Sequence, residues 1–406
     1  MQNRTLMKSK IDNISKMGML LALTAIAALC IALPVRAGLP YPTASTVSQL
    51  IADIHYGNTA GGRLTINLQP NTTFDLLTYD NSNEHGVNGL PIIAGNLTII
   101  GNGDTIERVV GPSSYNFRLF EVGHGASLTL IQMTLQSGYI YAYNGGAIYN
   151  QGTLTISDCT LSNNTAYYSG YISSLLGGEG GAIFNGSGTV VISNSILSGN
   201  SCIGNSAVSA FTAGGAIYND SGTLTLSNST LSGNLTGGSV GSGDGSMAGE
   251  GGAIYNGTGR VTVNNSIVSS NYAAGDLALG GGIHNAGGTT TVENTSRITG
   301  NAANGPDDVH NSSVLYQDDT STIGVVIGNP AIIVQVSEPS PRISLTTSNT
   351  IVISWPYPST SWSLQQNSEL TTTNWVMTTN TVANDGTNNF ISAAPSLNKL
   401  FFRLKR

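Results

Sequence analysis

The chain has 406 residues, of which 51 are glycine and only 9% are charged, with a net charge of −7. Average globular proteins carry roughly 25% charged residues. Lysine is absent between Lys16 and Lys399, and no Lys or Arg lies between Arg118 and Arg260, which argues against nucleic acid and anionic membranes as partners.

The first 37 residues read as a secretory signal. Arg4, Lys8, Lys10 and Lys16 make a basic start, 19–33 is apolar, and Val35-Arg36-Ala37 is a small-residue exit site. An uncleaved anchor is the alternative. Cys30 follows Leu29 rather than a small residue, which argues against a lipoprotein cysteine. Without this segment the chain holds 10 Lys+Arg against 21 Asp+Glu and no transmembrane anchor.

Residues 45–57 predict one helix. Ser45 or Thr46 caps it, Val47, Leu50, Ile51 and Ile54 line one side, and Gly57 ends it. Such a helix would cover the open strand edge that a solenoid exposes at its end. Strands are expected at 64–68 and 96–103, and 117–138 is an early, imperfect repeat.

Five clear repeats follow. Gly145-Gly146-Ala147-Ile148-Tyr149-Asn150 returns as GGAIFN ending at Asn185, as GGAIYN ending at Asn219 and at Asn256, and as GGGIHN ending at Asn285. A second motif follows each copy, as in Gly-Thr-Leu-Thr-Ile-Ser from Gly152, and closes on Asn164, Asn200, Asn234, Asn271 or Asn301. A period of this length marks a solenoid, propeller or array. Each unit holds three short alternating runs, A-I-Y, L-T-I and T-L-S, punctuated by Gly and Asn. A propeller blade needs four antiparallel strands, so one turn of a parallel β-helix fits better. Like residues of successive turns then stack roughly 4.8 Å apart. The two Asn columns become amide ladders, and the paired glycines become corners where φ is positive.

Between one unit and the next lie insertions at 165–179, 201–213, 235–250 and 272–279. They are read as loops at one corner, carrying Tyr167, Tyr168, Tyr171, Leu175, Leu176, Ile203 and Phe211. Such loops either form a binding surface or fold back over the flank. After Asn301 the repeats fade. Residues 305–308 and 317–320 read as loops and 322–336 as strands closing the last turn. The stretch 337–341 is a linker by composition. The expected body of the β-helix is therefore 38–336, with its clearest repeats at 139–301. All three tryptophans lie beyond, in 342–406, where runs at 351–355, 362–366, 375–377, 389–392 and 400–404 predict a small sandwich. Of the two cysteines after the signal, Cys159 shares a column with Ser195, Ser229 and Ser266. A packed thiol is therefore expected there rather than a bridge to Cys202.

The GGAI motif paired with L-x-x-N resembles the repeats of polymorphic-outer-membrane-protein-type right-handed parallel β-helices, within the wider pectate-lyase-like group. Leu161, Leu197, Leu231, Val268 and Ile298 stand where those repeats have Phe, so the likeness is to the broader secreted class. Residues 89–108 are also typical of bacterial exported β-helices. The resemblance covers roughly 45–330. It implies an all-β, single-stranded right-handed β-helix, a secreted or surface (outer-membrane) location and, in several relatives, adhesion. It carries no catalytic residue onto this chain. The ending from Trp362 to Leu404 is similar to C-terminal modules of other exported bacterial proteins, whose role is sorting or attachment.

The remaining question is chemistry. A lyase of this shape needs a cationic base beside a carboxylate-bound calcium, and only Arg260 and Arg297 stand in the repeats. A glycosidase needs two carboxyls. Glu179 and Glu250 each precede a glycine pair, in one column two turns apart with Ala213 between, hence ~10 Å. They are the best catalytic pair on offer; solvated turn residues are the plain alternative. Asp158 shares a column with Asn194, Asn228, Asn265 and Asn294, which points to structure. The five histidines show no metal-ligand spacing and do not group. The pairs Asp307-Asp308 and Asp318-Asp319 read as solvated acids. No cofactor or metal is implied. The other candidate surface is the aromatic column Tyr149, Phe184, Tyr218 and Tyr255. If the Ile beside each ring points inward, the rings face out as a platform for sugars, or else pack under the inserted loops. The expected function is a non-catalytic exported β-helix that adheres to or binds a glycan or cell-surface ligand. The alternative is a polysaccharide lyase or hydrolase on the same scaffold.

Overall fold

The computed structural model describes residues 43–111, 114–169, 178–205, 211–238, 248–334, 341–346, 350–356, 362–369, 371–384, 388–393 and 400–405. The expected signal, most of the expected linker, and Tyr171, Leu175 and Leu176 lie outside the described residues.

The chain winds as a parallel β-helix. One face is an eight-stranded sheet among the described residues, in which Ile148, Ile183, Ile217, Ile254, Ile283 and Val309 stand in direct register on successive turns. The L-T-I and T-L-S runs belong together in a second sheet. Thr153–Ser157 and Thr160–Ser162 are two arms of one bent strand, and both pair in parallel with Thr189–Ser193 and Ile196–Ser198. The bend falls at Asp158, where φ is 57°, and at Asn194, Asn228, Asn265 and Asn294 on later turns. The Asp158 column is therefore structural: Asn and Asp tolerate the left-handed region best after glycine.

The third face differs from expectation. The segments read as insertions begin as strands. Tyr139–Tyr141, Thr165–Ser169, Ser201–Asn205, Leu235–Gly238, Tyr272–Ala273 and Ala302–Ala303 form a parallel sheet. Its inward column is Ala166, Cys202, Thr236, Ala273 and Ala303, all buried. Each lies two residues after an Asn of the second ladder. Cys159 and Cys202 are free and buried, and the Cys159 backbone N–H donates to Ser195 Oγ at 3.1 Å, as the column predicts.

Inside, Leu154, Ile156, Leu161 and their equivalents are fully buried. Each such side chain contributes on the order of 2 kcal/mol. Both Asn ladders form. Asn150 Nδ2 donates to Asn185 Oδ1 at 2.7 Å, and the chain of amides continues through Asn219, Asn256 and Asn285 to Asn311. The second ladder ends on Asp308, whose Oδ1 accepts from the Asn301 backbone N–H and side-chain amide at 2.7 and 2.9 Å. Asp307, Asp308 and Asp318 are all buried rather than solvated. Asp318 lies within the strand Val314–Asp318, not in a loop.

Helix α1 (Val47–Thr59) is capped by Thr46, whose hydroxyl accepts from Gln49 N. Its Leu50 and Ile54 enter the same core as Ile66 and Leu97. The helix does not stop at Gly57 but runs two residues past it. A Cβ at Gly57 would come within 2.2 Å of Leu97 Cδ2, so this glycine lets α1 lie close on the first turns. At the other end, two small antiparallel sheets share a core of Ile353, Trp355, Leu364 and Ile391. All five expected runs there are strands, and Arg342–Leu345 and Ala383–Asn384 are added to them.

Candidate functional site

Alternation along the GGAIYN strand turns the Ile and Asn inward and the ring outward. Parallel register then piles the rings at strand spacing. Ring centroids are 4.9 Å apart for Tyr149 and Phe184, 5.3 Å for Phe184 and Tyr218, and 4.7 Å for Tyr218 and Tyr255, with planes within 12° of parallel. The rings therefore turn their faces to one another. Tyr149, Tyr218 and Tyr255 are half-buried and Phe184 is buried, so solvent meets only the outer edges of the tyrosines, where a platform of ring faces was expected.

The ladder is longer than the motif. His85 stacks on Tyr149 at 4.7 Å, and His284 and His310 continue the other end edge-on at 5.3 and 5.2 Å. The histidines thus do group: three of the five lie on this ladder. His85 comes from a hairpin of Asn81–Asn83 and Gly86–Asn88, far outside the repeat. His310 is hidden in sequence because Pro306-Asp307 stands where the glycine pair should be, with Asp308 in the Ala position. Burial, then the neighbouring His284, pushes His310 below the ordinary imidazole range.

Arg118, unmarked in the repeat pattern, is fully buried beside the first ring, 5.0 Å from the centre of Tyr149. Its guanidinium pairs with Glu121 at 3.3 Å and donates to Asn88 Oδ1 and the His85 carbonyl. Burial brings its pKa down to about 10, against the opposing pull of Glu121. This cluster ties the hairpin to the ladder.

The carboxyls stand where the spacing placed them. Glu179 bridges Ala213, Ala213 pairs with Glu250, and Glu250 bridges Leu279, all in parallel. Glu179 Oε2 accepts from Asn144 Nδ2 at 2.8 Å, and the Tyr218 hydroxyl donates to the same carboxyl. Burial, then the negative charge of Asp220, raises its pKa to about 7 despite both hydrogen bonds. Asp220 is exposed, two residues past Tyr218. Glu250 Oε2 lies 3.1 Å from His284 Nδ1. Burial and these carboxylates push Tyr255 up to about 12, and burial and Glu179 raise Tyr218 further. Arg260 and Arg297 sit on the second sheet, away from this face. Among the described residues no three His, Cys, Asp or Glu side chains converge as a metal cage. Nor is any helix there long and apolar enough to cross a membrane.

Glu179 has a stability consequence. Its folded pKa lies above the ~4.5 of the unfolded carboxyl, so the folded state holds the proton more tightly. Stability is then highest below pH ~4.5 and falls as pH rises towards 7, by on the order of 3 kcal/mol. Glu179→Gln should flatten the thermal-melt profile between pH 4.5 and 7. A variant that keeps the wild-type slope there would refute the assignment.

No family model matches the chain, and no curated protein does. Among solved structures the chain is similar to two double mutants of the tailspike protein of Escherichia coli bacteriophage HK620. Both are 11% identical. One covers 90% of each chain with a TM-score of 0.24, the other 92% of this chain and 91% of its own with a TM-score of 0.19. At such scores the likeness carries no argument, and the fold rests on the strand registers above.

Proposed function

We propose that this is an exported protein that binds glycan along the outer edge of the ring ladder, at the cell surface or in the medium, in an adhesive role. The first 37 residues would be its export signal, and 337–341 a linker to the C-terminal module. One observation carries the reading. Tyrosine hydroxyls, carboxyls and an imidazole alternate along one straight edge: Tyr149 with Gln151 at 3.1 Å, Glu179 with Tyr218, and Glu250 with His284. A polyhydroxylated chain can both donate to and accept from such an edge. Ring stacking fixes its groups beforehand, which lowers the ordering cost of binding.

Titration of the full-length protein with a panel of neutral and acidic polysaccharides tests the proposal. Retention should weaken about tenfold in Tyr218→Ala and in Glu250→Gln. Retention of none of them, or variants that bind like wild type, would overturn it. Fractionation of the native host's cells tests the location; finding the mature chain in the cytoplasm would end the exported reading.

One observation favours a second reading, hydrolysis of the bound chain. Glu179 is a carboxyl poised near neutrality beside the exposed Asp220, the asymmetry that a proton donor and its partner need. Loss of reducing-end release in Glu179→Gln, with binding intact, would establish it. Binding without any release would dismiss it.

A further inference from the structure

A second group of tyrosines, more exposed than the ladder rings, lies at the end of the third sheet. Tyr139–Tyr141 is the end strand of the third sheet. Tyr139 and Tyr141 point the same way, and both stack on Tyr167 of the next turn, at 6.1 and 5.6 Å with planes 22° and 8° apart. Phe117 bridges Tyr139 in antiparallel fashion. Tyr115 meets Tyr79 edge to face at 5.5 Å. The Arg108 guanidinium lies 5.4 Å from the Tyr139 ring and donates to the Tyr115 and Ser137 carbonyls, so it ties the base of the group together. Tyr115 is 55% exposed, Tyr79 and Tyr141 44%, and Tyr143 39%.

We infer that this crescent of tyrosines is a second glycan-contact surface. The choice of ligand class rests on the glycan reading above; the site itself is separate. Size decides between occupants. Four such rings, each able to bury roughly 150–250 Å², offer about 400 Å² at their observed exposure. A stable protein partner needs ~800 Å² on each side. The patch is of the size that on monomers is often functional, and it matches a few sugar units. A tyrosine ring presents an apolar face to the C–H side of a sugar and a hydroxyl to its rim. Arg108 is buried and engaged, so the surface offers no free cation to an anionic lipid.

The crescent also leads somewhere. From Tyr141 the chain runs through Tyr143 to Asn144, whose amide holds Glu179. An oligosaccharide lying on the tyrosines would therefore reach the ladder edge at Glu179. The two surfaces become one track that turns the corner between the third face and the ring face.

The test uses the full chain and whichever polysaccharide it retains. Tyr115→Ala with Tyr141→Ala should weaken retention at least tenfold while the melting temperature stays within a few degrees. Tyr115→Phe with Tyr141→Phe should keep affinity within about threefold, because the apolar rings remain. Should the alanine pair fail to fold, chemical nitration of the wild type mapped by mass spectrometry replaces it: bound polysaccharide should shield Tyr115 and Tyr141. Normal retention by the alanine pair, or nitration unaffected by ligand, sinks the crescent and leaves the ladder reading standing if Tyr218→Ala still loses binding. Binding that needs a protein or a lipid vesicle instead also sinks it. If no polysaccharide is retained at all, the glycan reading falls and the crescent falls with it.

Discussion

Gly215→Ala should destabilise the fold by at least ~3 kcal/mol, read as a clearly lowered and less cooperative melt in the far-UV β signal. A Cβ at Gly215 would stand 2.1 Å from the Gly252 carbonyl oxygen and 2.8 Å from the Leu235 backbone. These are backbone atoms of the next turn and of the third face, and neither is the free end of a side chain. The same contact recurs at Gly146 with Gly181 O and at Gly181 with Gly215 O, both at 2.1 Å. The second glycine of the first four pairs is thus a point where consecutive turns touch closely. The Gly215 N–H donates to Gly251 O at 3.1 Å, a bond that a wedge would break. Overpacking a core costs about 1–3 kcal/mol where side chains can shift. Here backbone must shift, so at least the upper end is expected, against a total of ~5–15 kcal/mol. Gly186→Ala is the control. Its Cβ would meet Phe184 Cε1 at 3.5 Å and the Asn150 carbonyl oxygen at 3.8 Å, both ordinary contacts, so it should melt like wild type. A Gly215→Ala protein that also melts like wild type would mean that the turns are not stacked at this distance.

What could be read from the chain, and what could not, follows from which columns repeat in residue type. The Asn ladders, the Ile column and the rings use the same side chain turn after turn, because each must bond or stack with its own copy. They were legible for that reason. The third face was not, because its strands share backbone pairing and only a size rule. Ala166, Cys202, Thr236, Ala273 and Ala303 have little in common except being small and buried. Their constant place two residues after the ladder Asn was the available signal, masked by the variable loops that follow. His85 and Arg118 were out of reach for a different reason. They come from before the clear repeats, and only the folded hairpin brings His85 onto Tyr149. The ends of a solenoid are where its period has to be broken. There the ring column turns to histidine and the amide column to aspartate.

That last substitution explains the polarity of the ladder, and it bears on the site. Each Asn accepts from the turn before and donates to the turn after. The final member has nothing further along its column to donate to. Asp308 instead accepts the Val325 N–H on its second oxygen at 2.8 Å. Both carboxyl oxygens of Asp308 are in this way taken up by the scaffold. On the ring face, Glu179 and Glu250 hold hydrogen bonds with Tyr218 and His284 at the outer edge.

Asn234→Ala should cost roughly 4 kcal/mol and lower the melting temperature by about 10 °C. Asn234 is 1% exposed. Its Oδ1 takes both the backbone N–H and the side-chain amide of Asn200 at 3.0 Å, and its Nδ2 donates to Asn271 Oδ1 and the Leu197 carbonyl at 2.9 and 3.0 Å. Truncation strands two donors of Asn200 and the Leu197 acceptor in a dry interior, at about 1–3 kcal/mol for each unsatisfied group. Asn234→Asp separates hydrogen bonding from packing. It restores the acceptor for Asn200 but faces the Asn271 and Leu197 oxygens with a carboxyl. Those oxygens accept only a proton-bearing group, so the new carboxyl must stay protonated in the fold and its pKa must rise above the ~3.9 of the unfolded chain. Its stability should therefore approach wild type near pH 4 and fall steadily towards pH 8, whereas Asn234→Ala should be equally weakened at both, relative to wild type at the same pH. Equal melts for the three proteins at pH 8 would show that the amide column is bonded to water and not to itself.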